Sequence, residues 1–372
     1  MTSFLPFSSA LRRTPPCMAW LGAGLALLLA AAAAQARPLG AQGENFLYQV
    51  ESGDTLEALA RRYTRDPGNW RALQALNQVA DPYRLSIDRI LRIPLALIPR
   101  QAARALVTHV HGQVSRDGKT LQVGDTLGTG DILRTGQGSA TLSLEDRSLL
   151  TIAPNSEVRV RNLQTFHGTG LTDTVLDLPH GSVESSVAPE DTGVGRFEIR
   201  TPATVTGVRG TQLRVHAGKA GSRHEVLHGE AAIRNPAQAE QRLAQDHGAA
   251  YDTSGAWLGT QALLPAPVLQ PPEPGASSLA WTPVPGSTAY RVRIALDPAG
   301  TQLESSRQVT QARIPLDMSG SGFRYLFVRA IDALGIEGSD AMLRIRITNS
   351  LISPDGRPVL SGDGTPISLG NG

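Results

Sequence analysis

Apolar positions along this chain change their period once, near residue 100. Before that point, Phe46 to Val50 forms a short strand-like run, followed by Glu51-Ser52-Gly53-Asp54-Thr55-Leu56. Asp54, with Glu57 three residues on, predicts a capping-box-like helix start. Leu56, Leu59, Ala60 and Tyr63 then recur at helical spacing. Trp70, Leu73 and Leu76 predict a second helix ending near Asn77, which Asp81-Pro82-Tyr83 breaks. Ile90 to Pro94 reads as a closing strand ended by its proline. The predicted order is strand, helix, helix, strand.

From about Ala105 the period becomes two. Ala140, Leu142 and Leu144 alternate with Thr141, Ser143 and Glu145, and Val158 and Val160 with Arg159 and Arg161. Phe197 and Ile199, then Leu213 and Val215, continue the alternation, and Gly124-Asp125, Gly130-Asp131 and Gly136-Gln137-Gly138 mark tight turns. Short strands so punctuated predict a β-sandwich or short β-roll. Leu264-Pro265-Ala266-Pro267 through Pro271-Pro272-Glu273-Pro274 reads as a stiff linker. Beyond it Tyr290, Val292, Ile294 and Leu296 alternate with polar residues. Phe323 to Ile331 and Leu343 to Ile347 follow as further strands, and Trp281 reads as a core residue.

Composition sharpens this picture. The 372 residues exceed one ordinary core, so two or three domains are expected. A net charge of +2, without a Lys/Arg-rich run, gives no reason to expect a nucleic-acid partner. Arg12 and Arg13, the uncharged stretch Met18 to Ala34 and Ala34-Gln35-Ala36 have the form of an export signal cleaved after Ala36. An uncleaved anchor is the alternative. Cys17 is the single cysteine and precedes that cut, so the mature chain is expected to lack thiols, disulfides and thiolate metal sites.

The first module resembles a LysM domain in Tyr48-Gln49-Val50, Gly53-Asp54-Thr55-Leu56, Leu59-Ala60, Tyr63, Asn77, Pro82, Leu85 and Ile93-Pro94; it departs at Asp88, where that family usually has Gly. The resemblance implies binding of N-acetylglucosamine-containing glycan, such as peptidoglycan, in a groove between two loops. Carried over, these are Gly53, Asp54, Thr55 and Leu56 on one side and Val79, Asp81, Pro82, Tyr83 and Leu85 on the other. Amides at the helix start would grip acetamido oxygens, with Tyr83 and Leu56 offering apolar surface. Asp54 and Thr55 acting only as caps, and Leu56 and Tyr63 only as core, is the structural alternative.

The second module resembles a FecR domain. His111-Gly112-Gln113-Val114, Gly130-Asp131-Ile132-Leu133-Arg134-Thr135-Gly136, Phe197-Glu198-Ile199-Arg200-Thr201-Pro202-Ala203 and Val208-Arg209-Gly210-Thr211-Gln212 carry the likeness. Regulators of that family relay a receptor's state to a cytoplasmic segment, and no such N-terminal helical segment is expected in this chain. Arg209, Gly210 and Thr211 are candidates for a protein contact or for a structural turn. The third module resembles a fibronectin type III-like sandwich around Leu279-Ala280-Trp281 and Ala330-Ile331-Asp332-Ala333-Leu334-Gly335.

The expected fold class is mainly β and multidomain, arranged as a string. It comprises a signal peptide over 1–36, a βααβ LysM module over 44–98 and a FecR-like β-sandwich or β-roll over 104–235. A linker over 236–264, a fibronectin type III-like sandwich over 265–348 and a flexible tail over 349–372 complete it. No Gly-x-Ser-x-Gly or Ser-x-x-Lys motif occurs, whereas His224-Glu225-Val226-Leu227-His228 has the spacing of His-Glu-x-x-His. The pairs His109/His111 and His224/His228 read as surface residues rather than metal ligands. The function expected is non-catalytic, without cofactor or metal. The chain would be retained at peptidoglycan in the periplasm or cell envelope, with no membrane span after cleavage and an unidentified envelope protein as partner. A regulatory sensor and a peptidoglycan hydrolase or its accessory are the rival classes.

Overall fold

The computed structural model describes residues 38–187, 194–208, 210–235, 238–272, 278–316, 322–347, 353 and 359–363. The expected signal peptide with Cys17, Arg209 and most of the expected tail lie outside them.

In the first module, β1 (Pro38–Gln42), β2 (Asn45–Gln49) and β3 (Ile90–Pro94) form an antiparallel sheet in that order. The predicted βααβ order is present, and β1 is an addition to it. Phe46 and Tyr48 of β2 and Leu91 and Ile93 of β3 are buried toward the helices, as a two-residue period requires. Helix α1 (Leu56–Leu59) continues as a π-turn through Ala60–Thr64, and α2 (Trp70–Asn77) follows a 3-10 turn at Pro67–Asn69. Its cap is Thr55, whose hydroxyl accepts from the Ala58 amide at 3.2 Å, so the expected capping by Asp54 is displaced by one residue. Asn77 ties α2 to β3: Nδ2 donates to the Leu73 and Arg92 carbonyls at 2.9 and 2.8 Å, while Oδ1 accepts from the Arg92 amide at 2.7 Å.

The middle domain consists of two sheets that share one strand, Thr172–Ser186. Its first half pairs antiparallel with Glu157–Phe166 and parallel with Val194–Arg200. Its second half pairs antiparallel with Leu149–Ile152 and Gln212–Gly218. The transfer occurs at Gly181, which has φ +99° and where a Cβ would come within 2.4 Å of Ser156 Cα; only glycine fits. Leu142, Ile152, Val160, Leu178, Ile199 and Leu213 fill the space between the sheets.

Residues 238–262 are not a linker. Gln238–Ala244 pairs with Glu230–Asn235, His247–Tyr251 with Gly221–His228, and Trp257–Ala262 with His247–Tyr251, so the domain runs to residue 262. The third module is a two-layer sandwich. A sheet of order Leu303–Val309, Ala289–Ala295, Gly322–Ile331, Ala341–Ile347 faces Ser278–Ala280 paired with Arg313–Pro315. Trp281 lies in its core, edge-on to Tyr290 with ring centroids 5.3 Å apart.

Nor are the modules a string. Phe166 and Leu171 of the middle domain are buried in the core of the first module, beside Tyr63 and Ile98. Arg65 Nη2 lies 3.2 Å from His167 Nδ1 across the same boundary. On the other side, the Ser139 hydroxyl donates to the Leu303 carbonyl and the Thr141 hydroxyl to that of Thr301. The connecting segment is also bound, the Leu264 carbonyl accepting from the Ser339 amide at 2.9 Å.

Candidate functional site

The two loops that the sequence nominates meet in space. The Leu56 amide donates to the Pro82 carbonyl at 3.2 Å, joining the β2–α1 loop to the α2–β3 loop. Each loop is also fixed from within. The Asp54 carboxylate accepts from the Tyr48 hydroxyl at 2.7 Å and from the Glu51 amide at 2.8 Å. On the other side, Asp81 Oδ1 accepts from the Tyr83 amide at 2.9 Å and the Asp81 carbonyl from Arg84 at 3.2 Å, an Asx-type turn. Burial and the Asp54 partner push the Tyr48 hydroxyl well above its ordinary range, so it remains a donor.

The nominated residues divide into surface and support. Leu56 is fully buried and Val79 nearly so, and Leu85 packs half-buried on the same core. Leu56 therefore offers no apolar surface, contrary to expectation; it positions the loop through its backbone. Its amide, and that of Ala58, are already taken by Pro82 and Thr55, so these two do not supply acetamido donors. Asp54 and Thr55 are occupied in holding the turn and the helix start. What faces outward is Gly53 at φ +91° with open space beside it, Asp81, half-buried Pro82, and Tyr83, which is 71% exposed. Ile87, 61% exposed in the same connection, was not among the nominated residues; an isoleucine between Ser86 and Asp88 was the available signal.

Asp88 takes the turn conformation usual for glycine, φ +65°, with Oδ1 accepting from Gln49 Nε2 at 2.9 Å. A side chain that bonds locally makes this conformation accessible to aspartate.

The second candidate, Arg209-Gly210-Thr211, is of another kind. Arg209 lies outside the described residues, and Gly210 takes φ +57°. Thr211 is fully buried, its hydroxyl donating to the Glu230 carbonyl at 3.0 Å and its own carbonyl accepting from Val187. Thr211 is thus structural.

The histidines also differ from expectation. His224 is fully buried between the hydroxyls of Thr204 and Thr206, each 2.9 Å from a ring nitrogen. His109 Nε2 lies 3.2 Å from the Leu303 carbonyl. Among the described residues no group of three or more His, Cys, Asp or Glu side chains is placed to hold a metal ion, and no helix is long and apolar enough to cross a membrane.

Residues 48–94 match the family model described as LysM domain, and residues 131–232 match that described as FecR protein. Two crystal structures of a candidate anti-sigma factor from Parabacteroides distasonis are similar to this chain at 14% identity, over 35% of its length. The chain spans 59% and 57% of those proteins, and the TM-scores of 0.29 and 0.28 are too low to carry an argument. Among curated proteins, none matches.

Proposed function

We propose that this chain, which carries a LysM domain and a FecR domain, is a non-catalytic envelope protein that holds peptidoglycan through the first. The second would offer a docking or sensing surface to another envelope protein. Export by the N-terminal signal places it in the periplasm. The observation that carries the reading is the Leu56–Pro82 bond, which makes the two loops one surface with Tyr83 standing on it. An exposed aromatic ring beside open glycine backbone suits the alternating apolar faces and polar edges of a sugar.

Co-sedimentation with purified sacculi tests it. The protein is expected in the pellet, and Tyr83→Ala is expected to move it toward the supernatant without a change in melting temperature. A wild-type chain that stays in the supernatant refutes the reading.

A regulatory role is favoured by one observation: the middle domain shares packed residues with the modules on both sides, so a change on one side has a physical path to the other. A hydrolase is the third class, and a clear zone on a peptidoglycan zymogram would establish it.

A further inference from the structure

Between the middle domain and the C-terminal sandwich lies a cleft of about 470 Å³, within the range of small-molecule sites. Its walls carry five permanent cations, Lys219 and Arg223 from the middle domain and Arg291, Arg293 and Arg329 from the sandwich. Only two carboxylates, Glu184 and Glu337, line it with them.

The charges are not surface decoration. Arg293 and Arg329 are 5% and 2% exposed, so each has been taken out of water and needs compensation within the protein. Glu184 meets both, at 2.9 Å from Arg293 Nη1 and 3.2 Å from Arg329 Nη2. Glu337 meets Arg291 at 2.8 Å and Arg329 at 3.2 Å. Asp340 adds a third contact to Arg329, at 3.3 Å from Nε, and still the acids do not exhaust the donors. Arg329 Nη1 is buried with no hydrogen-bond acceptor among the described residues. Arg223 spends its hydrogen bonds on the carbonyls of Ala220, Ser222, Tyr251 and Leu334, with Glu225 and Asp332 as the opposite charges near it.

The potential of the cleft can be read from Glu184. Burial pushes its carboxyl up, yet Arg293, Arg329 and Arg214 overcome burial and hold it at about 2. Guanidinium forks match planar carboxylates and phosphates with paired hydrogen bonds.

We propose that this cleft binds a small anion carrying carboxylate or phosphate groups, held between the two domains by Arg291, Arg293 and Arg329 with Lys219 at its rim. The site is separate from the glycan-binding surface and stands or falls without it.

Calorimetric titration of the purified full chain tests the assignment, with inorganic phosphate in one arm and tricarballylate in the other, at a constant ionic strength of about 0.15 M. Saturable binding of either anion is expected, and the arm that binds tells phosphate from carboxylate. Ser306 lines the same cleft and is half-buried, so Ser306→Trp fills it while leaving every charge in place. Lys219→Glu reverses a charge on an exposed side chain whose loss does not threaten the fold. Both variants, with melting temperatures like the parent's, are expected to bind about tenfold more weakly or worse. No saturable binding of either anion, or an affinity unchanged in both folded variants, overturns the proposal.

Discussion

The hydroxyl of Tyr48, on the buried face of β2, donates to the carboxylate of Asp54 at 2.7 Å, and the Glu51 amide donates to the same oxygen. One aspartate thus fixes the loop that begins the candidate glycan surface to the strand beneath it. Asp54→Ala would leave the buried Tyr48 phenol and an amide without their acceptor, at a cost of about 1–3 kcal/mol. Tyr83→Ala, on an exposed side chain, is expected to change stability by less than about 0.5 kcal/mol. Urea denaturation of the two variants together with co-sedimentation separates support from contact: both should lose retention, but only the first should lose stability.

His224 gives the protein a definite acid response. Burial first, then His216 and Arg223, hold its folded-state value down to about 3, against an ordinary 6.5. A depressed value means that the unfolded chain takes up the proton first as pH falls. The stability associated with the neutral ring is therefore complete above about 6.5 and declines below it, by up to about 1.4 kcal/mol per pH unit. Denaturation measured between pH 6.5 and 4.5, above the main carboxylate titrations, should show this slope. His224→Asn, which keeps a polar side chain between Thr204 and Thr206, should flatten it.

Arg329 is buried among Glu184, Glu337 and Asp340, with contacts of 3.2, 3.2 and 3.3 Å. Arg329→Met would remove a cationic partner from three carboxylates at once while Arg293 and Arg291 still hold Glu184 and Glu337, and a loss of about 3 kcal/mol is expected. Because the contact with Glu184 crosses the domain boundary, limited proteolysis should show the sandwich released before the middle domain is cut.

Phe166 belongs by sequence to the middle domain and by packing to the core of the first module. Phe166→Ala is expected to cost about 3–5 kcal/mol. It should also raise the susceptibility of the segment near Pro99 to protease; a variant as resistant as the parent would count against a shared core.

Much of the fold was legible because large side chains recur at a clear period. Phe46, Tyr48, Leu56, Leu59 and Tyr63 announce the first module, and Leu213 with Val215 a middle strand. The strands after residue 236 were not legible. The buried positions of His247–Tyr251 include Gly248, Ala249 and Ala250, whose smallness admits close neighbours but leaves no apolar alternation. Likewise β1 buries Ala41 and little else that a pattern could reveal.

At the candidate site, sequence found the correct loops but not the roles within them. Spacing placed Leu56 both in a helix core and in a groove, and one side chain cannot face both ways. Packing resolved it inward. The cleft between the domains was invisible for a different reason: the arginines paired with Glu184, Arg293 and Arg329, come from strands more than a hundred residues away in the chain, and only the docked sandwich brings them together.

The seating of Phe166 beneath Tyr63 has a mechanical meaning. Together with the tethers from Ser139 and Thr141 to the sandwich, it ties each module to its neighbour by direct contact. A tug on the far end reaches the near end as displacement rather than as the uncoiling of a leash, so the molecule acts as a strut.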